Sequence, residues 1–303
     1  MTFRAAPVAG LLVLCCWLSA ALVAVACSSG DSSKSSTADS IDAEETATVE
    51  TSTTSVVEAA TTSTTTVETT TTTLPPDPVL TILITNDDGV TAPGIATLVA
   101  TLLNETQHDL VIVAPETNQS GTSDSTSSEV VSFFETQTAF GHPAVAVQGF
   151  PADSVLVALD ELGVDPDLVI SGINEGQNLG PAIEISGTVG AARTAARRGL
   201  PALAVSQGFA DRPHYESAAE LVLSWIAFHE IELSEDREDN SVVSLNVPSC
   251  EVGTPRGVVQ AEVADDYAGR DIRDVDCEST EVDPGDDIDA FLAGFATLSE
   301  IAF

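Results

Sequence analysis

Positive charge is what this chain has least of: ten Lys and Arg stand against 47 Asp and Glu, a formal charge of −37. A surface so biased repels nucleic acid polymers and anionic membrane, which excludes a role built on a basic patch. Cysteine is scarce as well, and none of the five, Cys15, Cys16, Cys27, Cys250 and Cys277, lies at zinc-site spacing. The serine-hydrolase signature Gly-x-Ser-x-Gly does not occur. His142, His214 and His229 have no partner at metal or triad spacing and read as surface or packing residues.

What is present begins with an export pattern. Arg4 precedes an apolar run from Val8 to Ala26, and no acidic residue comes before Asp31, the layout of a secretory signal over residues 1–26. Ala24-Val25-Ala26-Cys27 resembles a bacterial lipobox, which makes Cys27 the expected lipidated first residue of the mature protein. Ordinary cleavage with secretion, or an uncleaved span, are the alternatives, since the run approaches membrane length. From Cys27 to Pro78 the chain turns to Thr, Ser, Glu, Ala and Val without helical or strand period, the composition of a disordered linker. The expected location is therefore the bacterial cell envelope, with the domain tethered to membrane through an N-terminal lipid.

Residues 79–303 are left for one large domain. Its two cysteines, Cys250 and Cys277, could pair in an oxidising compartment or remain free, partly buried thiols. Ile82-Leu83-Ile84 reads as a short buried strand, and Gly94 to Asn104 carries a helical apolar stripe. Strands follow at Asp109–Ala114, Asp167–Ile170, Pro201–Ser206 and Ser241–Val247. Between them lie helices opening at Pro151, running Thr188–Arg198, and running Tyr215–His229. This alternation predicts an α/β fold, a mostly parallel, Rossmann-like sheet with helices on both faces. Gly253 to Asp287 is acidic and weakly patterned, and no element is assigned there.

Polar clusters sit just past the predicted strands: Asn86-Asp87-Asp88-Gly89, Asn118-Gln119-Ser120-Gly121, Ser171-Gly172-Ile173-Asn174 and Ser186-Gly187-Thr188. In a parallel sheet these loops converge on one rim. Asp87, Asp88, Ser120 and Asn174 make an all-oxygen set suited to one divalent cation, Mg²⁺ or Mn²⁺. Ser186-Gly187-Thr188 opens a helix whose N-terminus is a ready anion site. Each loop alone is also ordinary turn and cap chemistry. Arg193, Arg197 and Arg198, on the helix that follows, read either as substrate ligands or as ion-paired surface residues.

The same residues resemble the SurE (survival protein E) nucleotidases. The resemblance runs from Leu80 through Val205, on Ile84-Thr85-Asn86-Asp87-Asp88-Gly89, Asn118-Gln119-Ser120-Gly121, Gly149-Phe150-Pro151-Ala152-Asp153, Ser171-Gly172-Ile173-Asn174 and Ser186-Gly187-Thr188-Val189-Gly190, with Asn246-Val247-Pro248 further on. It implies a metal-dependent phosphomonoesterase acting on nucleoside 5′- or 3′-monophosphates, with a homodimer among the assemblies open to it. By that resemblance Asp87, Asp88, Ser120 and Asn174 hold the cation, and Asp87 and Asp88 are the catalytic carboxylates. Asn178, Ser186, Gly187 and Thr188 hold the phosphate, and Asn86 shapes the loop. The chain departs from the family pattern at Ile185, where tyrosine is usual, at Phe150 in place of threonine, and at Ser154 in place of cysteine. The alternative reading is a non-catalytic metal- or phosphate-binding envelope lipoprotein derived from this fold.

Overall fold

Strand β1, Thr81–Thr85, is apolar through its middle because both of its faces are covered: Ile82 and Ile84 enter one core and Leu83 the other. The computed structural model describes residues 78–235 and 241–303. The signal segment, Cys27 and all of the expected linker but Pro78 lie outside the described residues.

After β1 come α1 (Pro93–Glu105), β2 (Asp109–Pro115), β3 (Phe133–Gln137), β4 (Pro143–Val147) and α2 (Pro151–Leu156), which runs on into a π-helical turn over Val157–Glu161. Then follow β5 (Leu168–Glu175), a 3₁₀ turn at Gly180–Glu184, α3 (Gly187–Ala196), β6 (Ala202–Gln207), α4 (Tyr215–Glu235), β7 (Val242–Val247), β8 (Val258–Gln260), α5 (Asp287–Leu292) and β9 (Ala296–Ile301). The strands form one sheet in the order β3-β4-β2-β1-β5-β6-β7-β9-β8. Pairing is parallel from β4 across to β7, while β3 and β9 join antiparallel. Helices α1 and α4 cover one face with Ile95, Leu98, Val222 and Ile226, and α2 and α3 cover the other with Val155, Val189, Ala192 and Ala195.

The chain steps from β1 to β2 on one side and returns to β5 on the other, so the strand order reverses at β1. Such a reversal opens a crevice outside the carboxyl ends of the strands, here between β1 and β5.

Three segments differ from the expected pattern. Ser171 to Asn174, expected as a loop after a strand, belongs to β5: the strand continues past a register shift against β6 between Ser171 and Asn174. A bulge of this kind re-aims the next side chain, and the glycine within it hides the strand period from sequence. The hairpin β3–β4 had no sequence signal because β3 is a largely exposed edge strand. The acidic stretch after Gly253 carries β8 and the start of α5, and Cys250 and Cys277 are joined in a disulfide with Cα atoms 5.8 Å apart. The three arginines all pair with carboxylates: Arg193 with Glu184, Arg197 with Asp124 and Arg198 with Asp160.

Candidate active site

The turn that follows β1 is shaped by Asn86. Its side-chain amide donates to the Gly89 carbonyl at 2.9 Å, and its Oδ1 accepts from the Gly89 N–H at 3.2 Å. This local Asx-type closure presents the next two side chains, Asp87 and Asp88, at the crevice. Asp87 is only 2% exposed, and burial raises its pKa because the charged form loses water. Its Oδ1 accepts from the Thr188 hydroxyl at 2.7 Å, which works against that rise. Asp88 is pushed up to about 6, first by burial and then by the neighbouring Asp87 carboxylate.

Two other loops are tied to this pair. The Gln119 N–H donates to the Asp87 carbonyl at 2.7 Å, and the Asn118 side-chain amide donates to Asp88 Oδ1 at 3.0 Å. Asn118 Oδ1 also accepts from the Ser120 N–H at 2.9 Å, so one side chain fixes Ser120 relative to Asp88. From β5, the Glu175 N–H donates to Asp88 Oδ2 at 2.8 Å. The adjacent Asn174 is buried, and its amide nitrogen donates to the Gly176 carbonyl at 2.6 Å, which leaves its oxygen as a free acceptor.

Helix α3 begins at the same place. Ser186 caps it, its hydroxyl accepting from the Val189 N–H at 3.1 Å. Gly187 lies against Asp87: a Cβ at this position would stand 2.8 Å from the Asp87 Cβ and 3.0 Å from its Oδ2. Only glycine lets the helix N-terminus approach the carboxylate so closely. On the far side, Asn178 is buried and built into a polar network. Its N–H donates to Asn246 Oδ1 at 2.7 Å, and its side-chain amide to the Ser206 hydroxyl at 2.9 Å.

The structure thus collects Asn86, Asp87, Asp88, Ser120, Asn174, Ser186, Gly187 and Thr188 around one crevice, with Asn178 on the loop beyond β5. Two contributors had no assigned role in the sequence. Asn118 lies inside a quoted motif, but its bridging work shows only when the loop meets Asp88. Asn246 comes from β7, 68 residues from its partner Asn178.

Chemically, the centre is two adjacent carboxylates without a counter-charge. Among the described residues no Lys or Arg forms an ion pair with either one. The Asp oxygens, the Ser120 hydroxyl and the Asn174 carbonyl are all hard donors, a set that fits Mg²⁺ or Mn²⁺ better than Zn²⁺. The α3 N-terminus, whose first turn contains no acidic residue, faces the same space and favours an anion. A separate cavity of 920 Å³ between α4 and strands β7 and β9 includes Trp225, Phe228 and Leu298 in its wall and lies outside this rim.

Comparison with known proteins agrees with this arrangement. Residues 82–269 match the family model "Survival protein SurE". A 5′-nucleotidase SurE of Clostridium botulinum is 39% identical over 188 residues, which span 61% of this chain and 73% of that protein. One from Aliivibrio fischeri is 42% identical over 174 residues, 57% of this chain and 64% of that protein. The crystal structure of the SurE protein from Aquifex aeolicus superposes with a TM-score of 0.60 at 26% identity, covering 73% of this chain and 92% of that one. The family match begins at β1 and takes in every loop that reaches the crevice, and on that ground the chain belongs to the SurE family.

Proposed function

We propose that this protein is a phosphomonoesterase that hydrolyses nucleoside monophosphates, using a divalent cation held by Asp87, Asp88, Ser120 and Asn174. The observation that carries the reading is the pairing of two uncompensated carboxylates with a helix N-terminus at one crevice. When bound, the cation supplies charge neutralisation and Lewis-acid polarisation of the phosphoryl group.

The chain's own residues do the rest. The N-terminal amides of α3, with Ser186 and Thr188, receive the phosphate oxygens. Asn178 reaches the phosphate from the loop beyond β5, held in place by Asn246 and Ser206. Asp87, the carboxylate packed against the α3 N-terminus, orients the attacking water or takes its proton. The Thr188 hydroxyl fixes Asp87 Oδ1, so Oδ2 is the oxygen left for this task. The water oxygen bonds to phosphorus as the ester P–O bond breaks, and the departing nucleoside oxygen acquires a proton.

The reading extends to location: residues 1–26 direct export, Cys27 carries lipid, and the domain works outside the cytoplasm on nucleotides found there. The resemblance of Ala24 to Cys27 to a lipobox supports this part. The test is phosphate release from a panel of nucleoside 5′- and 3′-monophosphates with Mg²⁺, Mn²⁺ or EDTA. Turnover that needs the cation and disappears in Asp87→Ala is the expected result. A folded protein that binds the cation and releases no phosphate from any ester would sink the proposal.

A further inference from the structure

Two residues past the end of β6, on the same rim as the carboxylates, Phe209 is 47% exposed. Its ring lies against Gly176, two residues beyond Asn174: a Cβ at Gly176 would stand 2.3 Å from the ring. Only glycine there allows an aromatic plane to cover the loop leaving the site. The backbone that carries the ring is tied to the neighbouring loops. The Phe209 N–H donates to Gln177 Oε1 at 3.0 Å, and the Gln177 amide nitrogen donates to the Ile272 carbonyl. One residue further on, Arg273 brings its guanidinium to 5.2 Å from the Phe209 ring centroid.

Among the described residues Arg212, Arg256 and Arg273 form no salt bridge. Where ten cations face 47 acids, an arginine finds a carboxylate easily, as Arg193, Arg197, Arg198 and Arg270 do. Arg273 is exposed and, among the described residues, has no such pair. An exposed aromatic face next to an unpaired guanidinium suits a planar heterocycle, which stacks on the ring and meets the cation at its edge or face.

We propose that Phe209 and Arg273 form a platform that takes the base of a nucleoside monophosphate whose phosphate lies at the α3 N-terminus. This deepens, and rests on, the phosphomonoesterase reading above. Neither residue touches the reacting atoms, so both determine specificity and neither is a catalytic residue. Simple packing of the ring on Gly176 is the competing account, and it makes a different forecast: leucine, which keeps the apolar volume but has no π face, would serve as well as phenylalanine.

The experiment compares adenosine 5′-monophosphate with ribose 5-phosphate, which has the same ester and no base, in wild type, Phe209→Leu, Phe209→Trp and Arg273→Gln. Stacking predicts a loss of roughly 10-fold in kcat/KM for the nucleotide in Phe209→Leu. It also predicts a smaller loss in Arg273→Gln, retention in Phe209→Trp, and no change for ribose 5-phosphate in any variant. Equal losses on both substrates, or no loss in Phe209→Leu, overturn the platform. Should wild type turn over neither compound, the phosphomonoesterase reading fails, and calorimetric binding of the same two compounds decides the platform alone. Tighter binding of the nucleotide that vanishes in Phe209→Leu supports it, and equal binding of the two by wild type overturns it.

Discussion

At the end of β1, Asp87 and Asp88 stand side by side with no Lys or Arg among the described residues paired to them, while at the N-terminus of α5 Asp286 and Asp289 share Arg270 at 2.7 Å each. The physical consequences are opposite. Burial raises both members of the first pair, with the Asp87 carboxylate adding to the rise at Asp88, whereas Arg270 and the capping N–H of Asp289 outweigh burial and lower Asp286. The α5 cluster is satisfied within the fold: Asp286 and Asp289 share Arg270, the buried Asp287, raised by burial, accepts from the Gly180 and Ala264 N–H groups, and the result is a fastened helix N-terminus. The β1 cluster is incomplete by the same standard, and an incomplete charge balance in a crevice is the signature of a group waiting for a ligand. Four measurements separate the two kinds of carboxylate, and they differ in size.

The largest effect belongs to Asp87→Asn. The substitution keeps shape and the Thr188 contact but removes charge and proton affinity, so phosphate release should fall by roughly 10³-fold with the fold intact. Steady-state kinetics beside circular dichroism check both halves. A variant retaining a third of wild-type turnover would make Asp87 another fastening residue, like Asp286.

Next comes the disulfide that staples the α5 side of the molecule. Cys250 and Cys277 are 27 residues apart, and closing a loop of that length stabilises the fold by roughly 3 kcal/mol through the unfolded chain. The double variant Cys250→Ser/Cys277→Ser should lose about that much in denaturant titration. Its cation affinity should stay unchanged, because no site carboxylate touches either cysteine. A parallel loss of cation affinity would show that the two regions are mechanically one.

The third measurement concerns pH. Asp88 sits at about 6 in the fold against an ordinary 3.8, so the folded state holds its proton more tightly than the unfolded state. Stability of the cation-free protein therefore falls as pH rises from about 4 to about 6, then levels off. In EDTA, Asp88→Asn should melt higher than wild type at pH 7.5, and that advantage should vanish near pH 4. The difference between the two proteins is the readout, since a chain of charge −37 also relaxes its general self-repulsion on acidification. A variant that melts lower than wild type at pH 7.5 would mean that Asp88 is structurally satisfied after all.

This contrast bears on how much of the molecule could be read beforehand. The apolar runs of β1, β2 and β6, the stripe of α1 and the Ala-rich α3 carry their periods openly, because each packs its apolar side chains in the interior. The β1 turn was legible too, since Asn86, Asp87, Asp88 and Gly89 are contiguous. What stayed hidden depends on contacts between distant segments. Thr188 lies 101 residues from Asp87, and no local pattern announces their bond. Asn174 appeared to sit in a loop because the bulge in β5 breaks the alternation that marks a strand. The segment after Gly253 was opaque because its order comes from Arg270, the disulfide and the amides of Gly180 and Ala264 on Asp287, with little apolar periodicity.

The smallest effect closes the comparison from the compensated side. Arg270 is mostly buried at the side-chain level and also donates to two carbonyl-side partners, its own neighbours Tyr267 and Asp266. Arg270→Ala should cost about 1 kcal/mol, the scale of a partly exposed ion-pair network, and release Asp286 and Asp289 to repel each other. Because that repulsion is screened, the deficit should shrink in 1 M salt, where charges interact over only about 3 Å. Chemical denaturation with urea at low and high salt measures it without adding ions of its own. The sign is the decisive part: neutralising a member of the α5 cluster lowers stability, whereas neutralising Asp88 in EDTA raises it. If Arg270→Ala and Asp88→Asn moved stability in the same direction, the distinction between a finished charge cluster and one built for a ligand would not hold in this protein.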